Sequence, residues 1–94
     1  MVLPIASAVL DGIQMTSRAA AHDHLAAQLG FPAYYGRNLD ALWDLLTTHH
    51  EEKLLIVRNC AILRETLGPY GEALLKTLTD AAATNSHLHL VMVL

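Results

Sequence analysis

Two aspartates, Asp40 and Asp44, stand four residues apart in the run Asn38-Leu39-Asp40-Ala41-Leu42-Trp43-Asp44-Leu45-Leu46. In a helix each step rotates ~100°. With Leu39 as origin, Leu42, Trp43, Leu45 and Leu46 fall within ~120° of it, whereas Asp40 and Asp44 fall near ~100° and ~140°. One face of this helix is core, the other presents two carboxylates, and Trp43 lies at the border. Like charges at i and i+4 repel by a few tenths of a kcal/mol. Asp40 recovers part of that from the positive helix N-terminus. On the residues alone two readings stay open. One is a solvated helix face with a capping aspartate. The other is a binding surface for cations, anchored by Trp43 and the tyrosines just before the helix, because Tyr, Trp and buried charge dominate interface energetics.

Other chemistry fits the residues less well. A pair of carboxylates can cleave a glycosidic bond, but that needs a sugar cleft and one raised pKa. Two exposed aspartates one turn apart offer neither. Six histidines invite a metal. On a helix, His22 and His24 point ~200° apart. His87 and His89 share one strand face, but two nitrogens leave a tetrahedral zinc site incomplete. The lone Cys60 forms no internal disulfide and reads as a small buried hydrophobe. Tyr70, near a Gly-Pro-x-Gly turn, reads as packing.

The elements that position these residues follow from apolar periodicity and breakers. An apolar strand is expected over Val2–Leu10, ended by the turn pair Asp11-Gly12. Ser17 caps a helix over Arg18–Leu29, with Ala21, Leu25 and Leu29 on one face and Gly30 as its stop. Phe31–Gly36 is a loop, with Pro32 excluding helix before it and Gly36 permitting a sharp bend. Asn38 caps the helix Leu39–Thr48. The uninterrupted run Leu54–Val57, within Lys53–Asn59, suits a strand buried on both faces. Helices over Ala61–Leu67 and Gly71–Ala83 lead to a final strand, Leu88–Leu94. Strands separated by helices imply one parallel sheet in a small two- or three-layer α/β domain.

The 94 residues make one domain, residues 1–94, that is 53% hydrophobic and carries a formal charge of -3. This excludes a disordered segment. No apolar run reaches the ~18 residues of a membrane span. The apolar start contains Pro4 and no basic flank, and reads as a strand and not as a secretion signal. Scattered Lys and Arg make no basic patch, so no direct nucleic-acid binding is expected, and a mildly acidic surface favours a basic partner. A single cysteine points to no oxidising compartment, and a cytoplasmic setting is expected.

The run Phe31-Pro32-x-Tyr34-Tyr35-Gly36-x-Asn38-Leu39-Asp40-Ala41-Leu42-Trp43-Asp44 resembles the signature of the barstar family, small intracellular inhibitors of secreted microbial ribonucleases. The order of turn, helices and strands matches over nearly the whole chain. The resemblance implies a three-stranded parallel sheet packed with helices and no enzymatic activity. It implies a partner-binding surface of Tyr34, Gly36, Asn38, Leu39, Asp40, Trp43 and Asp44, with Thr47 one turn beyond Trp43 and Asp80 on the later helix. It further implies that Asp44 enters the phosphate pocket of a small basic ribonuclease of the barnase type, and that the inhibitor protects the producing cell. No cofactor is implied, and a monomer is the default expectation. Two residues depart from the pattern: Arg37 puts a positive charge beside the motif, and His49 stands near a position where the best-known member has a second tryptophan. The alternative is a barstar-fold adaptor that binds another basic protein through the same helix. The histidine spacing makes one outcome checkable. Purified without an affinity tag, the chain is expected to carry no stoichiometric zinc, and elemental analysis that found zinc lost together with folding would contradict this.

Overall fold

The computed structural model describes residues 6–48 and 50–94. Strand β1 is Ala6–Asp11, and a single 3-10 turn at Gly12–Gln14 leads to helix α1, Arg18–Leu29. Helix α2 is Leu39–Thr48, strand β2 is Lys53–Arg58, helices α3 and α4 are Cys60–Leu67 and Pro69–Thr84, and strand β3 is Leu88–Met92. Among the described residues the strands form one parallel sheet in the order β1-β2-β3, with Leu10 opposite Val57 and Leu55 opposite Leu90. The expected α/β fold, a three-stranded parallel sheet packed with helices, is the one observed. The first part of the expected strand, Val2 to Ile5, lies outside the described residues, as does His49.

The helix boundaries follow local chemistry. Ser17 Oγ accepts from Ala20 N–H, and Gly30 closes α1 with φ 66°. Asn38 Oδ1 accepts from Ala41 N–H at 2.7 Å and caps α2. The last helix starts two residues earlier than its apolar pattern, because Pro69 occupies its first turn, where a missing N–H costs nothing.

The run Leu54–Val57 departs from expectation. Leu55 and Val57 are fully buried, but Leu54 and Ile56 are only half-buried. The strand order explains this. It advances in one direction across the sheet, and right-handed crossovers then lay the helices over the same face. Two layers result, and the opposite face, with Val9 and Val91, stays partly open among the described residues.

Between the layers lies one apolar core, joined by Leu10 and Leu55 from the sheet, Leu25 and Leu29 from α1, Leu42 and Leu46 from α2, and Leu74 and Leu78 from α4. Fully burying one such leucine is worth roughly 1.5–3 kcal/mol, so the two from α2 dock that helix firmly. Its far end is tied as well, because the buried Asn85 donates from Nδ2 to the Leu46 carbonyl at 2.9 Å. The Asp11-Gly12 pair also does more than turn the chain. Asp11 accepts from Ile13 N–H and from Asn59 Nδ2, and a Cβ on Gly12 would lie 2.3 Å from the Asn59 carbonyl oxygen. Gly12→Ala is therefore expected to cost at least the ~1–3 kcal/mol typical of overpacking, read as a lower midpoint in urea denaturation, whereas an unchanged midpoint would mean this contact relaxes freely.

Candidate protein-binding site

The loop ahead of α2 is held from below by a buried imidazole. His22, only 2% exposed, sits on α1 between two tyrosines. Its Nδ1 is 2.6 Å from Tyr35 Oη and its Nε2 is 2.6 Å from Tyr70 Oη. The neutral ring donates to one hydroxyl and accepts from the other. Three segments, α1, the loop and α4, are thereby joined at one side chain. Burial pushes the His22 pKa below its ordinary value and raises that of Tyr35 to about 12, so both groups stay neutral in the fold.

This arrangement separates the two adjacent tyrosines. Tyr35 is core, packed against Phe31 with ring centroids 4.7 Å apart and planes tilted by 53°, while Tyr34 is 83% exposed. Only Tyr34 is free to meet a partner, which corrects the reading of both as anchors. The bend is also placed differently. Arg37, not Gly36, takes the left-handed conformation, with φ 55°. A non-glycine residue there is uncommon. Its guanidinium is held by Asp23 at 2.5 Å and by the Ala19 carbonyl at 3.3 Å, and these contacts offset the backbone cost. Gly36 instead supplies clearance, since a Cβ there would lie 3.2 Å from Ala41 Cβ.

Helix α2 presents Asp40 and Asp44 to solvent, as the 3.6-residue period requires, while Leu42 and Leu46 are buried. Asp40 and Asp44, like Glu51 and Glu65, are left without a charged partner among the described residues, and of these four only Asp40 and Asp44 stand on α2. Asp11 pairs with Arg58, Asp23 with Arg37, Glu72 with Arg64, and Glu52 receives His87 and His89. Asp40 and Asp44 have no ion pair or side-chain hydrogen bond among the described residues. Each opens onto its own concavity. Asp44 shares one of about 200 Å³ with Tyr34, Gly36 and Leu45. Asp40 shares one of about 540 Å³ with Arg18, Asn38, Leu39 and Tyr70.

Of the remaining expected residues, Asn38 lines the larger hollow, and Trp43, Thr47 and Asp80 line neither. Asn38 is spent locally, capping α2 and donating from Nδ2 to the Gly36 carbonyl. Trp43 is half-buried against the core, and Thr47 donates its hydroxyl to the Trp43 carbonyl at 2.8 Å. Asp80, on α4, lines neither concavity, and its carboxylate is held by Lys76 at 2.6 Å. Sequence reasoning missed His22, Arg18 and Tyr70. The first carried a signal: residues 22, 25 and 29 form an i, i+3, i+7 stripe, which puts His22 on the buried face of α1.

The fold and this site define a small α/β protein that presents an acidic, preorganised helix. Over residues 5–93 the chain matches the family model described as Barstar (barnase inhibitor). It is also 39% identical over 74 residues to the putative ribonuclease inhibitor YrdF of Bacillus subtilis (strain 168), covering 78% of this chain and 81% of that protein. The chain belongs to the barstar family, a family of inhibitors and not of enzymes. No helix among the described residues is long and apolar enough to cross a membrane.

The buried imidazole makes stability depend on pH. The folded state depresses the His22 pKa, so below the ordinary value near 6.5 the unfolded chain binds more protons than the folded one. Stability is present above that value and is lost as pH falls toward the folded pKa. Urea melts from pH 7 to 5 are expected to show this decline, and His22→Gln to flatten it. A slope that persists in the variant would assign it to other groups.

Proposed function

We propose that this chain inhibits a small, basic, secreted-type ribonuclease of the barnase type by laying α2 and the loop ahead of it into the active site. The observation that carries the reading is the pair of carboxylates, unpaired among the described residues, on the exposed face of a helix that is capped, buried on its other side and tied at its far end. Little backbone freedom is then lost on binding, and preorganisation of this kind raises affinity.

Each residue has a role in this reading. Asp44 takes the place of a substrate phosphate among the cationic groups of the enzyme, and the exposed Tyr34 ring covers the same concavity. Gly36 lets the partner approach the backbone closely. Asp40 meets a second basic group, with Leu39 beside it as an apolar contact. Trp43 and Thr47 border the surface, and Asn38 sets the loop. Asp80 joins only if a partner cation replaces Lys76. The chain acts as one domain in the cytoplasm, where it protects the cell that makes the ribonuclease.

The test is inhibition of small secreted ribonucleases by the wild type, Asp40→Ala and Asp44→Ala. Both side chains are exposed, so folding stability should stay within about 0.5 kcal/mol. Binding by Asp44→Ala should weaken by at least roughly 2–5 kcal/mol, the cost of leaving a partner's charge buried and unpaired, and Asp40→Ala should lose less. Inhibition by Asp44→Ala equal to wild type would reject the active-site plug and favour an adaptor that binds another basic protein.

A further inference from the structure

The larger concavity, between α1 and the start of α2, carries two charges of opposite sign that nothing else in the described structure neutralises. One is Asp40. The other is Arg18, whose guanidinium carbon lies 4.3 Å above the centre of the Tyr70 ring. Tyr70 is itself fixed by its hydrogen bond to the buried His22, so Arg18 rests on a platform anchored in the core. No carboxylate among the described residues pairs with Arg18, and the first turn of α1 holds no acid. Arg37 also lines the hollow, but its guanidinium is already engaged by Asp23 and the Ala19 carbonyl. The hollow therefore offers one held cation and one exposed anion within about 540 Å³.

We propose that this concavity accepts an acidic side chain of the partner protein, with Arg18 as its counter-ion, beside the basic group that meets Asp40. The proposal rests on the reading of α2 as the partner-binding helix, and it narrows the partner. A surface that is uniformly basic satisfies Asp40 but sets a cation against Arg18, and like charges placed together across an interface cost several kcal/mol. A target with an acid next to the base satisfies both. A phosphate or an RNA backbone meets the opposite difficulty, because it would bring its own negative charge against Asp40. Arg18 thus acts as a specificity-determining residue that separates ribonucleases sharing one active-site chemistry.

Two probes test this. The first is independent of any ribonuclease: the 15N-labelled chain is titrated with acetyl-Glu-Gly-Arg-amide and, separately, with acetyl-Gln-Gly-Arg-amide. The glutamate peptide is expected to shift the amide signals of Arg18, Ala19, Asn38 and Asp40, and the glutamine peptide to bind roughly two- to fivefold more weakly, the size of an exposed ion pair. Arg18→Glu should abolish the difference. Equal binding of the two peptides, shifts that map elsewhere, or inorganic phosphate shifting the same signals more strongly than the glutamate peptide would each overturn the proposal. The second probe is any small ribonuclease that the chain inhibits. Arg18→Glu should weaken inhibition by about tenfold, corresponding to ~1.4 kcal/mol. If Arg18→Glu inhibits like wild type while Asp44→Ala fails, the acid-accepting hollow is wrong and the α2 reading stands. If no ribonuclease is inhibited but the peptides are discriminated, the hollow stands and the ribonuclease reading falls.

Discussion

A buried imidazole with both nitrogens engaged joins three parts of this molecule that are far apart in sequence. His22 lies on α1, Tyr35 lies in the loop that precedes α2, and Tyr70 stands in the first turn of α4. Burying a polar ring without partners costs free energy, and the cost falls only when both nitrogens find hydrogen bonds. The arrangement is therefore satisfied as a unit. It also decides what the neighbouring residues do. Tyr35 is withdrawn into the core, Tyr34 is left outside, and Tyr70 becomes the platform under Arg18.

The charge distribution works in the same direction. Most of the acidic side chains here have a cationic or histidine partner nearby, and such surface pairs contribute little to stability. Their effect on recognition is larger. Charges that are already paired present a weakened field, so the field at the α2 surface comes chiefly from Asp40, Asp44 and Arg18. Neutralisation elsewhere sharpens a pattern that formal net charge conceals. A chain of charge -3 is only mildly acidic, yet its α2 face carries two carboxylates without a partner among the described residues.

The sheet makes a contrasting point about economy. A parallel sheet is usually covered on both faces. Here the strand order sends the helices to one side, and a core built from alternate residues of each strand suffices to dock α1, α2 and α4. The rigidity that α2 needs comes from its two buried leucines, the Asn38 cap and the Asn85 bond to Leu46, not from a second layer.

Local signals in the sequence determined the elements. Apolar runs, helical spacing, Ser17, Asn38 and Gly30 act over a few residues, so the strands, the helices and the outward face of Asp40 and Asp44 were legible without a structure. The half-exposure of Leu54 and Ile56 was not, because an apolar run is the same whether one face or two are covered, and strand order decides which. The left-handed turn at Arg37 was equally hidden, since glycine at 36 is the local favourite and the contacts that hold Arg37 come from α1, more than a dozen residues away. Tyr70 looked like packing because its partner is 48 residues distant. What the tertiary structure alone decided was which charges remain unpaired and which concavity each one faces, for pairing depends on distances that spacing along the chain does not contain.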